Sequence, residues 1–137
     1  MDLKGTKYRL TKQRQIILEE ICKVCCHPTA EDVFKLVRKR LPDIGVATVY
    51  RNLDFLEKNG YIIRLKSLCG CSGKARYDGN CNGHIHLICT CCGEVCDIFD
   101  CKKFNIKSKE LEKSGFNPDL NHLEIPGLCK KCNKTKK

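Results

Sequence analysis

Apolar residues recur at helical spacing in three consecutive segments of the first half of the chain. In residues 11–24 they fall on one face of a helix. Thr29 and Asp32 then have the spacing of a capping box, ahead of a second apolar stripe. A third stripe runs over residues 46–59, and Gly60 follows it as a helix stop. The pattern therefore predicts three helices in succession.

Alternating apolar positions follow the third helix and predict a hairpin. Its two strands are "YIIRLKS" and "KARYD", and its tip is "LCGCSG". Three helices followed by a hairpin are the element order of a winged helix-turn-helix domain, which we assign to residues 1–79.

The pattern changes in the second part of the chain, which we assign to a separate domain at residues 80–137. Three strands are predicted at "HIHLICT", "EVCDIFD" and "NHLEIPGLC", with a helix at "KKFNIKSKELEKSG". The expected fold class is therefore α+β: an N-terminal winged helix-turn-helix and a small C-terminal α/β domain. So short a domain needs a metal or a partner chain for stability.

The cysteine content changes the picture to that of a metalloprotein. Thirteen cysteines in 137 residues, with no apolar export signal at the N-terminus, favour metal binding or redox sensing over a disulfide framework. No stretch approaches the roughly 18 apolar residues of a membrane span. We therefore expect a cytoplasmic protein without a membrane segment.

Two CxxC pairs, Cys89 with Cys92 and Cys129 with Cys132, predict a structural zinc site. Four thiolates in tetrahedral reach of one Zn²⁺ make a closed site without catalytic function. Cys91 also lies in the first pair, and we assign Cys92 because of the CxxC spacing and the glycine after it. The alternative is a set of buried thiols without metal. The nine other cysteines have no assigned role: Cys22, Cys25, Cys26, Cys69, Cys71, Cys81, Cys91, Cys96 and Cys101.

The charge balance suggests a polyanionic partner. The formal net charge is +10, from 26 Lys and Arg against 16 Asp and Glu. An excess of this size is typical of nucleic-acid-binding proteins. Five of the lysines lie in "KKCNKTKK" at the C-terminus, so a solvated basic tail is the alternative explanation for half of the excess.

His84 and His86 are two residues apart on a predicted strand, so their imidazoles lie on the same face. Such a pair can bind a divalent metal ion. The alternative is an ordinary polar strand face without metal. Together with "HPTAEDVF", "GVATVYRNLDFLEKNG", "RYD", "HIHLICTCCGEV" and "HLEIPGLCKKC", the two histidines make the chain resemble the ferric uptake regulator family over nearly its whole length. The resemblance implies a homodimeric repressor with a winged helix, a dimerisation domain that holds structural zinc, and a regulatory metal at the hinge.

By the same resemblance, the ligands of the regulatory metal are His27, Asp78, His84, His86 and Asp97. This donor set suits Fe²⁺ or Mn²⁺, where thiolates would select zinc. Aspartate at both carboxylate positions resembles the peroxide regulator branch, in which iron reacts with peroxide and a ligand histidine, here His27 or His84, is oxidised. The alternative is an iron- or zinc-uptake regulator of the same family.

The third helix is expected to be the recognition helix in the DNA major groove, on an operator with an inverted repeat. Arg51 is suited to guanine edges and Tyr50 to a thymine methyl group or a phosphate. The full set of expected DNA-contacting residues is Lys12, Arg14, Thr48, Tyr50, Arg51, Asn52 and Arg64, with Lys66 as a further wing residue.

Two rival classes follow from the same residues. A metal-dependent hydrolase would need an open metal position and a general base, and the sequence offers no obvious base and no phosphate-binding glycine loop, so we do not expect an enzyme. A cysteine store for metal or redox buffering would bind four or more metals per chain, against two for a sensor.

Overall fold

The computed structural model describes residues 9–24, 27–65, 74–79, 84–99, 109–118 and 123–135. These residues belong to two compact units. The first unit holds the described residues up to Gly79, and the second holds those from His84 onward.

Three helices form most of the first unit: α1 (Lys12–Lys23), α2 (Ala30–Arg38) and α3 (Val46–Lys58). The predicted helices are confirmed, and so is the capping box of α2. The Thr29 backbone N–H donates to Asp32 Oδ2 at 3.0 Å, and the Asp32 N–H donates to Thr29 Oγ1 at 3.3 Å. At α1, the Thr11 hydroxyl accepts from the N–H of Arg14. Each cap satisfies an N–H group that the helix itself leaves without a partner.

The core of the first unit lies among these helices. Full burial of one such aliphatic side chain stabilises the fold by about 1.5–3 kcal/mol. The side chains that are almost completely buried include Ile17, Ile21, Val33, Val37, Val49, Leu53 and Leu56. Gly60, at φ +75°, lets the chain turn at the end of α3 and bring the apolar residues that follow into this core.

A two-stranded antiparallel hairpin completes the first unit: β1 (Ile63–Leu65) pairs with β2 (Arg76–Asp78). The register places Ile63 opposite Asp78. The element order of a winged helix-turn-helix is therefore confirmed. The tip of the hairpin, with Lys66, Cys69 and Cys71, lies outside the described residues.

The second unit is built on a three-stranded sheet in the order β4-β3-β5. Strand β3 (Ile85–Cys89) pairs antiparallel with β4 (Val95–Ile98) and parallel with β5 (Glu124–Gly127). Two short helices, α4 (Lys109–Ser114) and α5 (Lys130–Thr135), are also present. The first part of the helix predicted at "KKFNIKSKELEKSG" lies outside the described residues, and α4 ends before Gly115, at φ +68°.

Helix α5 was not predicted, because its sequence KKCNKT has no apolar periodicity. Within the part of the chain that the structure describes, no helix has the length and apolar composition needed to cross a bilayer.

Candidate metal centres and nucleic-acid interface

Four cysteines of the second unit form what we call the thiolate group: Cys89, Cys92, Cys129 and Cys132. Their Sγ atoms all lie within 4.8 Å of one another, and the Cys92 and Cys129 sulfurs are 3.7 Å apart. In a tetrahedral site with Zn–S bonds of about 2.3 Å, two ligand sulfurs are about 3.8 Å apart. The Cys92–Cys129 separation matches this value, and the four sulfurs together lie close enough to bind one zinc ion.

The sheet brings the two CxxC pairs together. Parallel pairing of β3 with β5 places Cys89 opposite Gly127, and the Thr90 N–H donates to the Gly127 carbonyl at 2.8 Å. Gly93, at φ +76°, turns the chain back after the first pair, and its N–H donates to the Cys89 carbonyl at 2.9 Å. Glycine adopts this conformation without the strain that a Cβ would cause.

Hydrogen bonding and crowding shift the pKa values of the thiols in opposite directions. The Cys129 N–H, which donates to Cys89 Sγ at 3.3 Å, is the largest cause that lowers the pKa of Cys89 to about 6. Contact with the neighbouring thiols, Cys129 first, raises the pKa of Cys132. Since thiolates are the metal-binding form, a cation is what allows all four sulfurs to ionise together.

A second set of potential ligands in this unit lies on one face of the β3–β4 pair, and we call it the His84–His86–Asp97 group. Cross-strand register places Asp97 opposite His86. The Nε2 atoms of His84 and His86 each lie 3.6 Å from the same Asp97 Oδ1. This separation exceeds a hydrogen bond. It matches the roughly 3–4 Å between two ligands that bind one ion at about 2.1 Å.

The two imidazoles of this group are shielded from water. His84 is 0% exposed and His86 is 1% exposed. The Phe99 ring stacks on the His84 ring, with centroids 5.0 Å apart, although Phe99 itself is 63% exposed. The pattern of the sequence gave no signal for this contact, because Phe99 follows β4 as one more apolar residue.

The first unit contains a pair of potential ligands, which we call the His27–Asp78 pair. Both residues are buried, and His27 Nε2 lies 3.7 Å from Asp78 Oδ2. The Arg76 guanidinium donates to the His27 carbonyl at 2.8 Å, and the Tyr77 N–H donates to the Pro28 carbonyl at 2.9 Å. The segment that carries His27 therefore lies along β2, whose last residue is Asp78. Sequence reasoning missed this positioning contact of Arg76.

The first turns of α3 present a mixed apolar and basic surface. Tyr50 is 45% exposed, and Val46 and Arg51 are exposed as well. The Arg51 guanidinium donates to Thr48 Oγ1 at 3.2 Å, which keeps both side chains together on the helix. Lys12 and Arg64 are also exposed. These features are those expected of a DNA-reading helix and its flanking phosphate contacts.

Asn52, which we expected to be exposed among the DNA-contacting residues of α3, is buried. Asn52 is only 8% exposed, and its Oδ1 accepts a hydrogen bond from Arg14 Nε at 3.2 Å. The Arg14 guanidinium also lies over the Phe55 ring, 3.4 Å from its centroid. Asn52 is three residues after Val49, on the inward face of α3, and the 3.6-residue period should have excluded it from the exposed set. Arg14 is half-buried and contacts Asn52 and Phe55 of α3, and its expected phosphate contact stays a prediction.

Several residues singled out in the sequence lie outside the described residues, and no contact is assigned to them: Cys25, Cys26, Lys66, Cys69, Cys71, Cys81 and Cys101. None of the cysteines in the described ranges forms a disulfide.

The chain combines a winged helix, whose α3 has an exposed face, with thiolate and imidazole–carboxylate metal ligands. This combination is typical of the class of metal-binding DNA regulators. The model of the Ferric uptake regulator family matches residues 5–126. The chain belongs to the ferric uptake regulator family, whose members are dimeric DNA-binding regulators.

Individual relatives are consistent with this membership. The peroxide operon regulator of Bacillus subtilis (strain 168) is 34% identical over 132 residues, which cover 96% of this chain and 89% of that protein. The structure of the Campylobacter jejuni peroxide stress regulator is 29% identical, with a TM-score of 0.69 and 88% of each chain covered. The Francisella tularensis ferric uptake regulator with iron is 27% identical, with a TM-score of 0.71, and covers 96% of this chain and 99% of that chain.

Proposed function

We propose that this protein is a homodimeric, metal-dependent repressor that binds an inverted-repeat operator in the cytoplasm and releases it in response to peroxide. Zinc at the thiolate group has a structural role, and Fe²⁺ or Mn²⁺ at the histidine and aspartate ligands has the regulatory one. The observation that carries the proposal is the donor chemistry: buried imidazoles lie beside aspartates, and the four sulfurs of the thiolate group form a separate cluster.

The regulatory ion is proposed to bind to both ligand sets at once. The His27–Asp78 pair offers two ligands and the His84–His86–Asp97 group offers three, and neither number completes the shell of a labile Fe²⁺ or Mn²⁺ ion. Each set is held by its own unit, the first beside β2 and the second across β3 and β4. An ion that binds both sets makes the arrangement of the two units depend on metal, which is the basis of a switch.

Peroxide is the proposed signal because of the two aspartates and because relatives such as the Bacillus subtilis protein carry the name of peroxide regulators. Ferrous iron held by these ligands would supply an electron that cleaves the O–O bond of hydrogen peroxide. In this proposal the imidazole of His27 or His84 gains one oxygen atom and then binds the metal only weakly. Burial of His84 under Phe99 keeps bulk water from this ring. Because the protein consumes its own histidine, this is sensing without turnover.

DNA contact is assigned to the first unit. We propose that Tyr50 and Arg51 contact base edges and that Lys12 and Arg64 contact phosphates, since all four are exposed. Thr48 contributes by holding the Arg51 guanidinium. Arg14 and Asn52 are proposed to position α3 from its inward side, through their mutual hydrogen bond.

The second candidate is a repressor that senses iron supply, and the likeness to the Francisella tularensis regulator with iron favours it. Operator binding by the purified dimer, loaded with Fe²⁺ or with Mn²⁺, separates the two candidates when hydrogen peroxide is added. The proposal expects release by the iron form together with one added oxygen on a peptide that contains His27 or His84, and no release by the manganese form. Unchanged DNA binding by the iron form would leave metal supply as the signal.

A further inference from the structure

Gly79 follows strand β2 directly and is the chain neighbour of the potential metal ligand Asp78. It is buried, and it lies against Cys22 in the last turn of α1. The Cys22 thiol donates a weak hydrogen bond to the Gly79 carbonyl, with the sulfur and the oxygen 3.7 Å apart. The end of β2 is therefore in direct contact with α1, through a cysteine to which the sequence gave no role.

Gly79 has no room for a side chain. A Cβ atom on its backbone would lie 2.7 Å from Cys22 Sγ, 3.2 Å from Cys22 Cα and 3.3 Å from the Cys22 backbone nitrogen. Rotation of the Cys22 side chain would relieve only the first of these contacts, because the other two involve the backbone of α1. Gly79 is not among the glycines with positive φ, so alanine would adopt its conformation without strain. Space, and not backbone conformation, therefore favours glycine at this position.

The contact with α1 adds a third support to the strand that carries Asp78. Strand β1 pairs along one edge of β2, and residues 27–29 pair along the other. Because Gly79 is bonded to Asp78, a displacement of the Gly79 backbone also moves the Asp78 carboxylate. That carboxylate lies with Oδ2 3.7 Å from His27 Nε2, a separation at which one ion can bind both residues.

We propose that Gly79 is a positioning residue for the regulatory metal: its close packing on Cys22 of α1 sets where the Asp78 carboxylate lies beside His27. Helix α1 is then connected to both members of the His27–Asp78 pair, to His27 along the chain and to Asp78 through this contact. The inference rests on the regulatory role proposed for the pair, and neither Gly79 nor Cys22 is proposed as a ligand.

A methyl group at position 79 would force the end of β2 and α1 apart by a few tenths of an ångström. Metal–ligand distances in a well-formed site stay within about 0.2 Å of their usual values, so a shift of this size matters to the ligand. Substitution of a residue that supports a ligand weakens metal binding by about 10–100-fold. We therefore expect Gly79→Ala to lower the Mn²⁺ affinity by about 10-fold, the lower end of this range.

The test measures Mn²⁺ binding by the zinc-loaded full chain, at a temperature at which circular dichroism shows each variant to be folded. Gly45→Ala is the matched control, because its added methyl group would meet nothing within 4 Å. We expect the control to bind Mn²⁺ as tightly as the parent and all three proteins to contain equal zinc. Equal Mn²⁺ affinities in the two alanine variants would overturn the inference, even if Gly79→Ala unfolded at a lower denaturant concentration, since Gly79 would then serve packing alone.

Removal of the Cys22 sulfur identifies the contact that is responsible. In the double variant Cys22→Ala with Gly79→Ala, the 2.7 Å contact is gone and the two contacts with the helix backbone remain. We expect its Mn²⁺ affinity to lie between those of Cys22→Ala and Gly79→Ala. An affinity as low as that of Gly79→Ala would contradict the inference, because the methyl group would then not act through the Cys22 sulfur.

Two further outcomes are also decisive. If Gly79→Ala does not fold, the double variant is compared with Cys22→Ala alone, and equal Mn²⁺ affinities of these two proteins would overturn the inference. If the parent itself takes up no tight Mn²⁺, the proposed regulatory site is refuted and this inference with it. A tight parent beside an unaffected Gly79→Ala refutes the inference and leaves the proposed function in place.

Discussion

The thiolate group and the histidine–aspartate ligands use different means to hold a metal ion. The four sulfurs lie in one unit, and the pairing of β3 with β5 suffices to bring them together. The histidines and aspartates are divided between two units, with two ligands in one and three in the other. Four soft ligands within one unit suit a permanent structural ion. Harder ligands from two units suit the reversible binding that we propose for the regulatory ion. The contrast teaches how one chain can carry both kinds of metal.

The largest expected effect is the loss of the structural zinc. Cys129→Ser removes one sulfur and also disturbs the residue whose N–H donates to Cys89. Zinc binding of this kind contributes on the order of 10 kcal/mol to the folding of small domains. We expect the variant to contain no zinc and to show a second unit that unfolds at room temperature, by metal analysis and circular dichroism. If Cys129→Ser contained as much zinc as a Cys96→Ser control, the thiolate group would not be the zinc site.

Loss of a regulatory ligand should leave the zinc in place. His86→Ala removes an imidazole that lies 3.6 Å from Asp97. Substitution of a residue that supports a ligand already weakens metal binding by about 10–100-fold. Removal of the ligand itself should therefore lower the Mn²⁺ affinity by more than about 100-fold. Titration with Mn²⁺, followed by operator binding, measures the loss. A fall in zinc content of the same variant would show that the two kinds of site are not independent.

A substitution at Arg76 tests whether contacts within the first unit position the His27–Asp78 pair for metal binding. Arg76→Ala removes the hydrogen bond to the His27 carbonyl. We expect Mn²⁺ affinity to fall by about 10-fold, the lower end of outer-shell effects, since the backbone bond from Tyr77 to Pro28 remains. The matched control is Lys74→Ala, which removes only an exposed ion pair to Glu31. Equal Mn²⁺ affinity in the two variants would deny Arg76 a positioning role.

The smallest effect is expected at the capping box of α2, two residues after His27. Thr29→Ala should destabilise the first unit by about 1 kcal/mol, measured by denaturant unfolding without regulatory metal. Hydrogen bonds from the Thr29 hydroxyl and N–H lower the pKa of Asp32. The folded pKa thus lies below the unfolded value. The stabilisation is present above the unfolded pKa and is lost as pH falls through the folded one. The difference between parent and variant should therefore narrow in strong acid to what the bond from the Asp32 N–H to Thr29 Oγ1 contributes, and a difference that does not narrow there would contradict this assignment.

Some features could be predicted from the sequence because they are local. The capping box, the glycine after α3 and the two CxxC pairs act over a few residues, and each lies where it was expected. Asn52 was misplaced because its polarity was given more weight than its position on the inward face of α3. Helix α5 was missed because it has no apolar stripe.

The proposed regulatory ligands show the limit of reasoning from pattern alone. His84 and His86 are visible as an alternating pair, whereas His27 and Asp78 are single residues in separate segments. Only tertiary structure brings such residues together, and the family resemblance was needed to select them. The Arg76 contact to the His27 carbonyl is likewise a tertiary contact that no sequence period encodes.

The most direct test of the central claim is a Mn²⁺ titration of the zinc-loaded parent, Asp78→Asn and Asp97→Asn, with bound manganese counted per chain. Each substitution touches a carboxylate of a different unit. If one ion binds both ligand sets, the parent takes up a single tight equivalent and both variants lose it. Retention of that tight equivalent by either variant would mean that the ion is held by one unit alone, which contradicts the proposed switch.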